Sequence, residues 1–165
     1  TGGQSVLVSD AFGSQELKGP ALTEKTHERL RPIVTVVGGS YKNPLDVSGS
    51  LTSVERATEM LNGLHDDPNT DIIVMESSIG FIQRRLEKQG QGLDTLIEGF
   101  KAFQESSKKP FGVIATWNQN EGELADFRQK VSDAGIAVFP TFQAGAGAIR
   151  KVRDYYRKKE TLGTK

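Results

Sequence analysis

Three short apolar runs stand out in the pattern of hydrophobic and polar positions along the chain. They are DIIVMES from Asp71, FGVIAT from Phe111 and IAVFPT from Ile136. A strand that is covered on both faces of a parallel sheet needs apolar residues at successive positions, whereas a half-exposed strand alternates. The pattern therefore predicts three buried parallel strands.

The segments between and after these runs have the spacing of amphipathic helices. LDTLIEGFKAFQESS from Leu93 and EGELADFRQKVSDAG from Glu121 repeat apolar residues every three or four positions. A closing helix from Phe142 to about Lys159 carries a run of Ala and Gly, which predicts close packing on the sheet. The alternation predicts an α/β fold with an open, doubly wound parallel sheet that binds ligands at the carboxyl ends of its strands.

The amino-terminal half is harder to interpret. Thr52 to His65 is predicted to be a helix capped by Thr52 or Ser53, and Thr23 to Leu30 a short helix capped by Thr23. The run IVTVV from Ile33 is expected to be extended, either in the sheet or as a connection. Gln4 to Ser14 fits a strand by its VLV and a helix by the glycines before it. In the helix interpretation we expect a strand before Thr1, so that the chain is a piece of a longer protein.

The segment Asn43 to Asp46 precedes the helix predicted from Val54. Pro44 keeps Asn43 out of the helical region and fixes its own φ, which predicts a rigid, extended approach. Gly49 then frees the backbone before the helix cap. Such a segment can present groups to a partner or an anion, or it can simply end a loop. Asp46 could therefore either stabilise a corner of the fold or contact another domain.

Composition narrows the functional classes. The 165 residues include 21 Lys plus Arg and 21 Asp plus Glu, which favours one domain and removes the charge signature of a nucleic-acid or membrane-surface binder. The absence of cysteine excludes disulfides and thiolate chemistry and is typical of a cytoplasmic protein. No apolar stretch has the roughly 20 residues needed to cross a bilayer. With only His27 and His65, no metal site built from histidines is expected.

Motifs for nucleophilic or metal-dependent hydrolysis are missing. No Gly-x-Ser-x-Gly elbow follows a strand, and HDDPNTD lies at the amino end of its strand, where a surface turn is the simpler interpretation. A phospho-receiver needs an acceptor Asp with an acidic pair, but Glu76 is the only acid at a strand's carboxyl end.

Ser77, Ser78 and Gly80 lie where a strand gives way to a possible helix. Their amides could hold an anion, with Arg84 or Arg85 adding positive charge, or they could form an ordinary connection.

Six stretches, taken in order, resemble a single family. They are TGGQSVLVSDAF, LTEKTHERLR, NPLDVSGSLTSVERATEML, DDPNTDIIVM, KPFGVIATW and DAGIAVFPTFQAGAGAIRKV. They are similar to the CoA-ligase domain of NDP-forming acyl-CoA synthetases, relatives of succinyl-CoA synthetase, and the resemblance runs from one end of the chain to the other. The resemblance implies a single flavodoxin-like domain over residues 1–165, with three α/β/α layers. Because the family places a strand before its Gly-Gly pair, the resemblance also implies that the first strand is missing here.

The resemblance implies a role within a larger enzyme. That enzyme joins an acid to CoA while ATP becomes ADP and phosphate, through an acyl phosphate and a phosphohistidine. Its Rossmann CoA-binding, histidine-bearing and ATP-grasp domains are the implied partners. CoA, ATP or ADP, and Mg are therefore expected in the intact enzyme and no cofactor in this domain. Neither His27 nor His65 lies in the family's glycine-rich loop, so no catalytic residue is carried over and the isolated domain is expected to be inactive.

The residues that the resemblance selects are supporting ones. In succinyl-CoA synthetases the helix after the first clear strand helps to hold the phosphate of the phosphohistidine. This implies a phosphate-binding or interdomain role for Ser77, Ser78 and Gly80, although the loop here has one glycine where the relatives have a pair. Asn43 and Asp46 would form the corner that faces the other domains. The alternative is a stand-alone flavodoxin-like binding or receiver-type regulatory module.

Overall fold

The computed structural model describes residues 2–35, 37–47, 50–116 and 120–163. Within these ranges the chain forms an α/β fold with seven helices and three strands. In chain order these elements are α1 (Gly2–Gly13), α2 (Glu24–Leu30), α3 (Val54–Asp66), β1 (Ile73–Glu76), α4 (Ile79–Glu87), α5 (Leu93–Ser106), β2 (Phe111–Ile114), α6 (Glu121–Asp133), β3 (Ala137–Phe139) and α7 (Phe142–Thr161).

The three strands form one parallel sheet in the order β1-β2-β3. Ile73 lies opposite Phe111, and Gly112 lies opposite Ala137. All three predicted strands are thereby confirmed, as is their parallel pairing. Because the strands run in the same direction, their carboxyl ends lie at one edge of the sheet. Strand order follows chain order, so the reversal that defines a doubly wound sheet is not seen among the described strands.

Helices cover both faces of the sheet. On one face, alternate strand residues such as Met75 and Val113 join the larger core, which is built with α3, α4, α5 and α6. On the other face, Val74, Ile114 and Phe139 meet α1 and α7 in a second cluster. The small residues of α7 allow this close approach, since a methyl group on Gly145 would lie 3.1 Å from Ile114 Cδ1. The predicted role of that Ala and Gly run is confirmed.

The first segment is a helix, which decides between the two interpretations of Gln4 to Ser14. Its helical state is set by packing against α7 rather than by an apolar stripe, because Val6 and Leu7 are 60% and 54% exposed. Arg153 of α7 holds the end of α1 by donating from Nη1 to the backbone oxygen of Glu16, at 2.8 Å.

Two connections in the amino-terminal half bear on the sequence predictions. Ile33 and Val34 are buried but lie outside the sheet, which decides for the connection among the two alternatives, with Val36 outside the described residues. Asn43 to Asp46 is a bent loop rather than an extended approach, and it contains a cis Asn43–Pro44 peptide bond. Backbone hydrogen bonds between Ser40 and Asp46, of 2.8 and 3.0 Å, close this loop.

The cap of α3 is Ser53, whose side chain accepts from the backbone N–H of Arg56. The expected role of Gly49 lies outside the described residues. A second group caps the same helix from a distance, because Gln91 Oε1 accepts from the Val54 N–H at 3.0 Å. The helix therefore begins where the sequence predicts, with a side-chain contact that periodicity does not reveal.

The turn before β1 contains a buried carboxylate, so the prediction of a surface turn is wrong for Asp67, which has an exposed fraction of 0%. Its Oδ2 accepts from the backbone N–H and the hydroxyl of Thr23, at 2.8 and 2.9 Å. Its Oδ1 accepts from the Asn69 N–H at 2.9 Å. Burial would raise the pKa of Asp67, but these hydrogen bonds and one from Thr26 hold it at about 2. Asp67 thus ties the start of α2 to the amino end of β1.

Candidate functional site

The junction of β1 and α4 lies at the carboxyl edge of the sheet. β1 ends at Glu76, and α4 begins at Ile79, with Ser77 and Ser78 between them. The predicted change from strand to helix at these serines is confirmed. The Ser78 side chain makes no capping hydrogen bond, although this residue occupies the cap position. The first amides of α4 therefore receive no side-chain cap from Ser78.

Glu76 is the centre of a polar cluster at this edge. Its Oε1 accepts from Gln4 Nε2 at 2.8 Å, from Ser78 Oγ at 3.1 Å and from Thr116 Oγ1 at 3.5 Å. The cluster thus joins β1, the second residue beyond β2 and the first turn of α1. Burial raises the pKa of Glu76, while the hydrogen bonds from Ser78, Thr116 and Gln4 oppose that rise. A carboxylate whose charge is disfavoured at a strand end is more typical of a site than of a structural anchor.

Ser77 is fully buried beside this cluster, with an exposed fraction of 0%. Its backbone N–H continues the sheet by donating to the Ile114 oxygen at 2.9 Å. Its hydroxyl has no hydrogen-bond partner among the described residues. Buried hydroxyls without partners are rare in native structures, which makes Ser77 Oγ an unused donor and acceptor next to the start of α4.

The amino end of α4 offers backbone amides rather than charged side chains. The N–H groups of Phe81 and Ile82 bond to the Ser78 oxygen, so Gly80 lies in the turn whose amides precede the regular helical pattern. Arg84 and Arg85 belong to the last turn of α4, and the guanidinium of Arg85 lies 4.6 Å from the centre of the Phe81 ring. The suggestion that these arginines add positive charge to the loop is therefore not supported.

A different arginine supplies positive charge to this edge. Arg128 of α6 donates from Nε to the backbone oxygen of Ala115 at 3.0 Å, just beyond β2. The neighbouring residue Thr116 is a partner of Glu76. Sequence analysis missed Arg128, Gln4 and Thr116, and the one available signal was the position of Thr116 at the carboxyl end of the apolar run FGVIAT.

In the other two loops at this edge, polar side chains cap the helices that follow. Asn120 Oδ1 accepts from the N–H groups of Gly122 and Glu123 at the start of α6. Thr141 Oγ1 accepts from the Ala144 N–H at the start of α7. Residues 117–119 of the second loop lie outside the described residues. The β1 to α4 junction is thus where the described polar groups converge.

Asn43 and Asp46 share a cavity with Ser78. Asn43 Nδ2 donates to the Pro20 oxygen at 3.2 Å, and Asp46 closes the loop with Ser40. A cavity of about 1040 Å³ is lined by Asn43, Asp46, Glu76 and Ser78 among others. The structure therefore brings three of the five predicted site residues to the walls of one cavity, whereas Ser77 and Gly80 are not part of its lining.

Metal and membrane features were sought in the described ranges. No group of three or more His, Asp or Glu residues there is placed to hold a metal ion. No helix in the same ranges combines the length and apolar character needed to cross a membrane. His27 lies in α2, with its Nδ1 3.7 Å from Glu24 Oε2, and His65 lies in α3, with its Nδ1 3.1 Å from Asp66 Oδ1.

Comparison with known proteins identifies no family: no family model matches the chain, and no curated protein matches it.

Proposed function

We propose that this chain is a CoA-ligase-type, flavodoxin-like domain of an NDP-forming acyl-CoA synthetase. Its role is to support the phosphate site and to dock with the CoA-binding, histidine-bearing and ATP-grasp domains. CoA, the nucleotide and Mg bind to those other domains in this proposal. The resemblance over the whole chain motivates it, and a parallel sheet with helices on both faces is compatible with it.

One observation carries the proposed phosphate role. α4 begins at the carboxyl end of β1. Its first turn lies beside a half-buried polar cluster and the buried Ser77 hydroxyl, which has no hydrogen-bond partner in the part of the chain that the structure describes. A helix amino end favours anions because its N–H groups are free and its dipole is positive there. Arg128, bonded just beyond the neighbouring strand, adds positive charge at the same edge.

The charge of Glu76 determines whether its replacement should strengthen or weaken phosphate binding. Its carboxylate lies 3.1 Å from Ser78 Oγ, so in its ionised form it repels an anion at the start of α4. Burial raises the pKa of Glu76 because it disfavours the charged form. A protonated carboxyl would not repel the anion. Replacing Glu76 by Gln keeps an acceptor oxygen for Gln4 and removes the charge.

We therefore expect Glu76→Gln to tighten the binding of inorganic phosphate by about threefold to tenfold, in line with roughly 1 kcal/mol for a nearby charge in a partly solvated site. The measurement is an NMR titration of this chain with phosphate at constant ionic strength, following the amides of Ser78, Ile79 and Gly80. Glu87→Gln is the matched control, because Glu87 ends the same helix and is exposed.

Amides from Ser78 to Gly80 that do not respond to phosphate would contradict the proposed phosphate role. An equal effect of Glu76→Gln and Glu87→Gln would show that net charge, and not this junction, controls binding.

A further inference from the structure

The end of α7 concentrates exposed apolar and aromatic side chains. Seven large apolar side chains are strongly exposed in the part of the chain that the structure describes, and four of them lie here: Val152 (56%), Tyr155 (62%), Tyr156 (57%) and Leu162 (68%). Their spacing of three, four and seven positions places them along one side of the helix, and they are called the α7 stripe below. The two tyrosine rings contact each other edge to face, with centroids 5.4 Å apart. Exposed apolar side chains gathered on one face are typical of a binding surface.

This end of α7 projects beyond the sheet. The helix has 20 residues, which is about 30 Å, whereas β3 beside its start has three residues, which is about 10 Å. The buried residues of α7 are Phe142, Gly145 and Ala146, all in its first two turns. Residues 154–158 and 160–163 are exposed. The stripe therefore lies on a convex surface and not in a groove.

The same helix end carries a strong local charge. Residues 150–159 include six Lys or Arg and one Asp, a net charge of +5, so the rest of this formally neutral chain carries −5. Asp154 is already paired with Arg150 at 3.4 Å and with Arg153 at 2.8 Å. The basic side chains that form no ion pair or hydrogen bond with a described residue are Lys151, Arg157, Lys158 and Lys159. The stripe is thus flanked by positive charges that are available to an anionic partner.

The residue types distinguish among the anionic partners. Bases of single-stranded nucleic acid stack on tyrosine, but Val152 and Leu162 are aliphatic and offer no ring. Protein interfaces are depleted in lysine, and three of the four unpaired basic side chains are lysines. An anionic lipid surface uses all of these groups, because it attracts lysine and accepts tyrosine and aliphatic side chains at the headgroup boundary. The stripe of a second copy carries the same charge and would be repelled.

We propose that the end of α7 is a peripheral binding surface for anionic membranes. The α7 stripe enters the headgroup region, while Lys151, Lys158 and Lys159 contact the negative groups of the lipids. The helix lies on the membrane and does not cross it, since no helix in the described ranges is long and apolar enough to do so. The balanced total charge, which removes the signature of a membrane-surface binder, conceals this local surface. The proposal rests on α7 alone and is independent of the phosphate role proposed above.

Vesicle co-sedimentation of this chain tests the electrostatic part. We expect at least about tenfold tighter binding to phosphatidylcholine vesicles that contain about 30% phosphatidylserine than to pure phosphatidylcholine, with the difference lost at high salt. Replacing Lys151 and Lys158 together by Gln should weaken binding to the anionic vesicles at least about tenfold. The matched control replaces Lys88 and Lys101 by Gln, which removes the same charge from exposed positions of other helices and should have little effect.

A second pair of variants tests the α7 stripe. Replacing Tyr155 and Tyr156 together by Ser should weaken binding to the anionic vesicles at least about fivefold, because two side chains no longer enter the headgroup region. Replacing Val6 and Leu7 by Ser removes apolar side chains of α1 that are similarly exposed, at 60% and 54%, and should change binding little. The Tm of each variant confirms that the fold is retained.

The position of contact can be read directly, because the chain has no cysteine that would compete for a thiol-reactive dye. A polarity-sensitive fluorophore attached to Val152→Cys should brighten and shift to the blue when the anionic vesicles are added. The same fluorophore on Val6→Cys should not respond.

Equal affinity for both vesicle types, or equal losses in the matched variants, would overturn the proposal. So would a fluorophore response at Val6 equal to that at Val152. Binding of oligouridine that depends on Tyr155 and Tyr156, without binding to anionic vesicles, would assign the surface to single-stranded nucleic acid instead. Binding of polyglutamate without binding to those vesicles would assign it to an acidic protein.

Discussion

Two carboxyl groups, one before β1 and one at its carboxyl end, have pKa values shifted in opposite directions. Asp67 precedes the strand, is fully buried, and has its pKa held at about 2 by hydrogen bonds that outweigh burial. Glu76 ends the strand, and burial raises its pKa in spite of its hydrogen bonds. A favoured charge stabilises the fold, whereas a disfavoured charge is typical of a functional position. Asp67 is therefore an anchor, and Glu76 belongs to the candidate site.

Asp67→Asn should lower the free energy of unfolding at pH 7 by about 1–3 kcal/mol, because buried donors from Thr23 and Asn69 lose a charged acceptor. The folded pKa of about 2 lies below the ordinary value of 3.8, so this stabilisation is present above about pH 4 and is lost as the pH falls towards 2. Denaturant unfolding at several pH values checks the expectation.

The control for that measurement is Asp71→Asn, which changes an exposed acid in the same turn and should have little effect. A difference between Asp67→Asn and the unmodified protein that stayed constant from pH 7 to pH 2 would show that the charge of Asp67 contributes nothing.

At the scale of elements, the helices with one apolar stripe were predictable. α3, α5 and α6 each bury residues at helical spacing against the larger core, and their starts agree with the sequence prediction. α1 was ambiguous because Ala11 is its only buried residue, while its packing depends on α7. The bent loop at Asn43 was also unpredictable, since its closure depends on a bond between Ser40 and Asp46.

Gly145 and Gly147 form a matched pair within α7. Gly147→Ala should raise the free energy of unfolding by about 0.5–1 kcal/mol, because alanine favours a helix and nothing lies within 4 Å of the added methyl. Gly145→Ala should gain less, since its methyl would lie 3.1 Å from Ile114 Cδ1 and 3.3 Å from Phe139 Cδ2. Thermal and denaturant unfolding of both variants test this. An equal or larger gain at Gly145 would mean that α7 is not packed closely on the sheet.

The position of the candidate site was more predictable than its contents. Parallel strands must end at one edge, so Ser77 and Ser78 could be placed there from the apolar runs alone. The bond of Gln4 to Glu76 joins residues 72 positions apart, and that of Thr116 to Glu76 joins residues 40 positions apart. Contacts of this kind depend on the tertiary fold, and no local pattern in the sequence encodes them.

At the scale of the whole molecule, the described polar groups of the candidate site come from three separate parts of the chain. Glu76 is bonded to Gln4, Ser78 and Thr116. This cluster lies at the carboxyl edge of the sheet, and Gln4, Glu76 and Ser78 also line the cavity of about 1040 Å³. This arrangement suits a domain that completes a site together with others, as proposed above.

This chain alone should therefore form no ATP above background from ADP, phosphate and acetyl-, propionyl- or succinyl-CoA. Coupled assays with Mg present would measure this directly, and robust turnover would contradict the proposed division of roles among domains. Incubation with acetyl phosphate separates the receiver alternative, because a receiver would gain a base-labile, hydroxylamine-sensitive acyl phosphate whereas this chain should not.

The contact between α1 and α7 also has a consequence for biosynthesis. Arg153 bonds to a backbone oxygen 137 positions earlier, so the layer that α1 and α7 share joins distant parts of the chain. On a ribosome that adds about 5–20 residues per second, α1 emerges on the order of ten seconds before its partner. During that interval Val8, Ala11 and Phe12 of α1 lack the cover that α7 provides. Nascent-chain chaperones are therefore expected to engage the first helix until translation releases the last one.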